Sequence, residues 1–167
     1  LASFPTSAFG YKEKSTILVE QNEFDEAAKL MEEGIKKSAA KDEAHSNYAD
    51  LIYQKIIYKG DSVYKDWTLD KAIAEAQKAY EIKAQPIYRH QEAQINFVKG
   101  EYQKAYDTFM DLTNTSLLSG ELYFEAAQAK KNLKAPAKEI EVLLDSAVSV
   151  GNKIGMVANY YLARGEF

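Results

Sequence analysis

Apolar residues recur along this chain in four stripes at helical spacing. Phe24, Ala27, Ala28, Met31 and Ile35 form the first; Leu69, Ala72, Ile73, Ala76, Ala79 and Tyr80 form the second. Tyr102, Ala105, Tyr106, Phe109 and Leu112 form the third; Ile140, Leu143, Leu144, Ala147 and Val148 form the fourth. Steps of three and four place each set on one face of an α-helix. The segments before the stripes read as partner helices over about 11–21, 44–59, 87–98 and 119–133, with a fifth over 152–163. No run alternates with period two between turn residues, so the pattern predicts an all-α chain without a sheet.

Punctuation along the chain agrees. Gly100 and Gly165 fall in turns between helices, where a left-handed backbone is useful. Pro86 opens one helix near its first turn, and Pro136 does so for the helix after Lys134. Asp25 and Asp70 lie early in their helices, at the favourable end of the dipole.

The stripes also repeat as a unit. Each follows a short polar turn, with an aromatic or aliphatic residue first and a small one three positions later. Glu23-Phe24-Asp25-Glu26-Ala27, Thr68-Leu69-Asp70-Lys71-Ala72 and Glu101-Tyr102-Gln103-Lys104-Ala105 show it, and Ala137 with Ile140 shows a weaker version. The intervals from Phe24 through Leu69, Tyr102 and Ala137 to Phe167 are 45, 33, 35 and 30 residues. Three of them lie near the period of roughly 34 residues found in helix–turn–helix repeats. The long first interval is explained by an enlarged turn over Gly60–Thr68, which carries Trp67. An exposed Trp in a long loop would anchor a contact; a Trp tucked over the helices would complete the core.

The segment Ala93-Gln94-Ile95-Asn96-Phe97-Val98-Lys99-Gly100-Glu101-Tyr102-Gln103-Lys104-Ala105-Tyr106 resembles the tetratricopeptide repeat. It has a small residue in the first helix, a Gly-acidic-aromatic turn and a packing Ala in the second. Ala158-Asn159-Tyr160-Tyr161-Leu162-Ala163-Arg164-Gly165-Glu166-Phe167 looks like the same motif cut at its turn. The fourth repeat departs from the pattern, with Asn132-Leu133-Lys134-Ala135-Pro136 where the Gly-acidic-aromatic turn would stand. The resemblance implies a right-handed superhelical array of antiparallel helix pairs, about four pairs plus a terminal helix. It divides residues 1–167 as a single repeat domain into repeats of about 8–41, 44–85, 86–118 and 119–150, with a partial one over 151–167. Because the last motif stops at a turn and residue 1 is not Met, the array is expected to belong to a longer protein. The compartment stays open: cytoplasm, or periplasm if a signal peptide preceded residue 1.

Composition narrows the function classes. Hydrophobic residues are 46% and charged residues 28% of the chain, values of a soluble globular protein. A net charge of −4 is a poor match for phosphate backbones, so no nucleic-acid partner is expected. The chain has no cysteine, which removes thiol catalysis, disulfides and cysteine-based zinc sites. No apolar run reaches the ~20 residues needed to span a bilayer.

Candidate chemistry is sparse. His45 and His90 have no His or Cys partner at metal-ligand spacing, and both read as ordinary partly exposed histidines. There is no phosphate-binding Gly-rich loop, no nucleophile elbow and no His-Glu-x-x-His. The chain is therefore expected to be no enzyme and to need no cofactor or metal. The lysines at 36, 37 and 41 and at 130, 131 and 134 lie near helix C-termini, where they offset the dipole.

The resemblance implies a concave groove built from first helices that holds a peptide or helix of a protein partner, the role of a scaffold. By register, the groove-facing residues are Lys12, Thr16, Asp50, Gln54, His90, Gln94, Glu125, Asn132 and Asn159. Only Lys12 suits capture of a peptide's terminal carboxylate, so an internal segment or a helix is the expected ligand. Tyr48, Tyr53, Tyr88, Tyr123, Tyr160 and Tyr161 lie on first helices, divided between core and groove anchors. The alternative is a regulatory or self-association segment of a larger signalling protein, with helix 152–163 as the interface.

Overall fold

Each of the four stripes is a helix face in the computed structural model, which describes residues 7–59, residues 64–150 and Asn159. The described residues form α1 (Ala8–Glu20), α2 (Phe24–Lys37), α3 (Lys41–Lys59), α4 (Leu69–Ile82), α5 (Pro86–Lys99), α6 (Tyr102–Leu112), α7 (Gly120–Asn132) and α8 (Ala137–Val150). No strand occurs among them. The segments expected as helix 152–163 and as the turn at Gly165 lie outside the described residues. α1 and α3 each begin three residues before their expected starts. In α3 the early start places Asp42 and Glu43 in the first turn, where carboxylates offset the helix dipole.

The residues group into two compact units, Leu1–Ile95 and Asn96–Phe167, with the boundary inside α5. In the first unit α2 buries Ala27, Ala28 and Met31, and α4 buries Ala72, Ile73, Ala76 and Ala79. These faces meet Val19 of α1 and Tyr48, Ala49, Leu51, Ile52 and Ile56 of α3 in one core. Small residues at the crossing let backbones approach. Ser15 of α1 is fully buried and donates to the Ala27 carbonyl at 3.3 Å. Ala40 closes the short link into α3, its N–H donating to Ser38 Oγ at 3.2 Å.

In the second unit α7 packs against both α6 and α8. Its core holds Ala105, Phe109 and Leu112 of α6, Leu122, Ala126, Ala127 and Ala129 of α7, and Ile140, Leu143, Leu144 and Ala147 of α8. Lys130 fastens one side, lying 3.1 Å from Glu139 and 4.5 Å above the Tyr106 ring. A cation over an aromatic face adds about 0.5–1 kcal/mol at such a half-exposed place.

Three turns between consecutive helices share one cap. After α1, Glu23 N–H bonds to Leu18 C=O and Asn22 N–H to Val19 C=O, with Asn22 at φ 64°. After α5, Glu101 N–H bonds to Asn96 C=O and Gly100 N–H to Phe97 C=O, with Gly100 at φ 90°. After α7, Ala135 N–H bonds to Lys130 C=O and Lys134 N–H to Lys131 C=O, with Lys134 at φ 57°. This paired 6→1 and 5→2 pattern closes a helix through one left-handed residue. The fourth turn, which lacks the Gly-acidic-aromatic sequence, makes the same cap with a lysine in the left-handed position.

Residues 64–68, the described end of the enlarged turn before α4, pack onto the core. Trp67 is 2% exposed. Its ring meets Tyr64, Phe24 and Tyr48 edge-on, at centroid distances of 5.4, 6.0 and 6.3 Å. Its Nε1–H donates to the Tyr48 hydroxyl at 3.3 Å. Of the two readings of Trp67, the tucked one describes the structure, and the residue offers no exposed anchor. Burying an indole of this size is worth several kcal/mol, far more than a loop contact would give.

Candidate functional site

Four polar residues of α3 follow one another at intervals of four: Asp42, Ser46, Asp50 and Gln54. Four residues turn a helix by about 400°, so such a row drifts by about 40° at each step. The drift carries it across the face of α3, from the α5 side to the α1 side. Asp42 Oδ2 accepts from the Tyr88 hydroxyl of α5 at 2.8 Å, in a buried contact. Ser46 Oγ donates to Gln91 Oε1 at 2.9 Å, and Gln91 Nε2 returns a bond to the Ser46 carbonyl at 2.9 Å. Asp50 Oδ2 lies 2.5 Å from Lys12 Nζ of α1. Gln54 Nε2 reaches both Asp50 oxygens at 3.0 Å. On α1, Thr16 Oγ1 donates back to the Lys12 carbonyl at 3.0 Å.

The row fastens α1 and α5 to either side of α3. Lys12, Asp50 and Gln54 are all half-buried or exposed, so their network has a solvent-facing side. Their charges neutralise each other. A carboxylate arriving at Lys12 would have to displace Asp50, which is already bonded to it.

His90 and Gln94 lie on α5 in the same unit, both half-buried and both engaged within the protein. Glu125 is half-buried on α7 and engaged as well. Asn132 is exposed at the C-terminus of α7, where its amide donates to the Gln128 carbonyl at 2.9 Å. Asn159 is exposed. Lys12, Thr16, Asp50 and Gln54 are thus brought into one network by direct bonds.

The tyrosines expected to divide between core and groove differ in burial. Tyr48 and Tyr88 are buried and belong to the core rather than to a groove surface, whereas Tyr53 and Tyr123 are half-buried. Tyr160 and Tyr161 lie outside the described residues. Burial pushes the Tyr48 hydroxyl up to about 12. Burial, then the bond to Asp42, also pushes the Tyr88 hydroxyl well above its ordinary value. Both phenols stay neutral throughout the physiological range, Tyr88 donating to Asp42 and Tyr48 accepting from Trp67.

His45 is more deeply involved than its sequence context announces. Its Nδ1 lies 2.5 Å from Glu75 Oε2 of α4, and both side chains are nearly enclosed. Lys78 Nζ reaches the other Glu75 oxygen at 3.2 Å. Burial pushes the Glu75 carboxyl up, but the bonds from His45 and Lys78 outweigh it and leave it below its ordinary value. The pair clamps α3 to α4. No sequence signal joins residues 30 positions apart. Of the row at 42, 46, 50 and 54, helical register singled out only Asp50 and Gln54; Asp42 and Ser46 share the same polar spacing of four, a signal that would have added them.

Among the described residues no group of three or more His, Cys, Asp or Glu side chains is placed to hold a metal ion. Among them, too, no helix is long and apolar enough to cross a membrane. A scan against protein-family models gives no match to this chain, and a search among curated proteins gives none either.

Proposed function

We propose that the chain is a helical-repeat interaction module of the tetratricopeptide type. Its odd-numbered helices hold a peptide or helix of a protein partner, and its role is binding rather than catalysis. The observation that carries the reading is the row on α3. It ties α1 and α5, the first helices of neighbouring pairs, to α3, with its Lys12, Asp50 and Gln54 end open to solvent and its Asp42–Tyr88 end buried. The shared cap after α1, α5 and α7 supports a repeating pair as the building unit. The internal Lys12–Asp50 pair favours an internal segment or a helix over a terminal carboxylate as ligand. Repeat arrays of stacked helix pairs in general offer extended binding surfaces, which is the ground for proposing a scaffold role.

The test is affinity capture from a lysate of the source organism, with the wild type and a variant carrying Gln54→Ala, His90→Ala and Gln94→Ala. A partner held by wild type and lost by a variant of unchanged melting temperature supports the reading. A partner held equally by both removes the odd-helix face from consideration. Sedimentation that shows concentration-dependent mass with no partner captured would favour the second reading, a self-associating segment of a larger protein.

A further inference from the structure

Phe9, Glu43 and Ile87 lie in the first turns of α1, α3 and α5, and all three are exposed. Phe9 is 64% and Ile87 46% exposed, unusual for apolar residues on helices whose other apolar side chains pack inward.

The ties between the helices set these three at one level. Asp42 meets Tyr88 and Ser46 meets Gln91, so the start of α3 runs beside the start of α5 in the same direction. Glu43 acts electrostatically on Tyr88, as that closeness requires. The links from α1 to α2 and from α2 to α3 are short, which makes α1 parallel to α3. Lys12 reaches Asp50, so α1 is level with α3 to within about two turns.

They also share a side. Phe9 stands three residues before Lys12, Glu43 seven before Asp50 and Ile87 four before Gln91. Steps of three, four and seven keep one helix face, here the face of the row.

The Glu43 carboxylate has no hydrogen bond or ion pair among the described residues. Lys41, two residues earlier, lies about 200° away around α3. Lys12 is neutralised by Asp50. This end of the face therefore offers an uncompensated carboxylate between two apolar side chains. Its complement is a cation between two apolar groups.

Helix spacing selects the form of that complement. Neighbouring packed helices are about 8–10 Å apart. A polyproline-II segment has three residues per turn and rises about 3.1 Å per residue, so every third side chain returns to one side after about 9 Å. A β-strand returns after two residues, roughly 7 Å, and an α-helical turn after about 5.4 Å. The polyproline-II pitch is the one that matches.

We propose that the first turns of α1, α3 and α5 bind a polyproline-II segment of a partner protein that carries apolar, basic and apolar side chains at every third residue. The basic residue meets Glu43, and the apolar ones cover Phe9 and Ile87. The proposal rests on the reading of the odd-numbered helices as the binding face and names the chemistry of the ligand. Such a segment is extended before it binds, so little ordering cost opposes binding.

The experiment titrates the full chain with three end-capped peptides and follows NMR shifts of the protein. The first is Leu-Pro-Pro-Lys-Pro-Pro-Leu, the second has Glu in place of Lys, and the third has each spacer cut to one Pro. The first is expected to shift Phe9, Glu43 and Ile87 and to bind about tenfold more tightly than the other two. Glu43→Lys should reverse the preference between the first and second peptides. Phe9→Ala and Ile87→Ala should each weaken the first severalfold. All three positions are exposed, and circular dichroism checks that the variants keep their helices. Absence of shifts at millimolar first peptide, or equal binding of the first peptide and either control, would overturn the proposal. Shifts centred on Gln54 and Gln94 that ignore Glu43→Lys would overturn it as well, while the odd-numbered face would stand. A captured partner lost by the Gln54, His90 and Gln94 variant yet held by Glu43→Lys would do the same.

Discussion

Tyr11 of α1 lies so close over Gly34 of α2 that a Cβ at position 34 would stand 2.8 Å from the Tyr11 Cγ and 2.9 Å from its Cβ. Those atoms sit at the root of the ring and cannot swing aside. Replacing Gly by Ala inside a helix ordinarily adds up to about 1 kcal/mol. Overpacking a tight crossing costs about 1–3 kcal/mol. Gly34→Ala should therefore lower unfolding stability by about 1 kcal/mol in urea denaturation. In a Tyr11→Ala background the same change should become neutral or stabilising. Equal effects in both backgrounds would show that the crossing is looser than described.

The shared left-handed cap predicts opposite responses at two of its positions. Lys134 holds φ 57° with a full side chain, whereas Gly100 holds φ 90° without one. A left-handed residue with a Cβ is disfavoured by about 1–2 kcal/mol. Lys134→Gly should raise stability by about 1 kcal/mol, and Gly100→Ala should lower it by a similar amount. Asn22→Gly should change little, because Asn tolerates this conformation. Thermal melts of the three variants decide the matter.

Trp67 is the sole tryptophan of the chain, so its fluorescence reports the joint between α2, α3 and the enlarged turn. Emission should be blue-shifted relative to the free amino acid in the native state. Trp67→Ala should cost about 3–5 kcal/mol, as for other large core truncations. A native spectrum matching free tryptophan would mean that the turn does not close over Phe24 and Tyr48.

Stability should fall at both ends of the pH range for separate reasons. The Glu75 carboxyl is depressed in the folded state, so its contribution is complete above the unfolded carboxylate value of about 4.3. It is lost as pH falls through the folded value. The stability gap between wild type and Glu75→Gln should shrink in acid, measured by denaturation at pH 7 and below pH 4. Tyr48 is raised from 10.0 to about 12, so its contribution is complete below pH 10 and is lost as pH rises through about 12. Absorbance titration should show a tyrosinate fraction that ionises only with unfolding.

That Lys12 and Thr16 share one face of α1, and Asp50 and Gln54 one face of α3, was legible from helical register alone, because residues at steps of three and four share a face whatever surrounds them. That register did not say that Lys12 and Asp50 neutralise each other, nor that Tyr88 is drawn into the core by Asp42. Those outcomes depend on how far one helix slides and rotates against the next.

The sequence by itself determined the helices and much of their punctuation, since a period of 3.6 residues and a glycine at position 100 act within a few residues of chain. Tertiary structure decided which polar groups remain available and which are consumed. Lys12 met Asp50 across 38 residues, His45 met Glu75 across 30, and Trp67 closed under its own turn. The cap at Lys134 was decided in the same way, with a left-handed lysine adopted where a local preference alone would have chosen glycine. Such pairings are set by distances between packed helices, and a local pattern of apolar and polar residues holds no record of those distances.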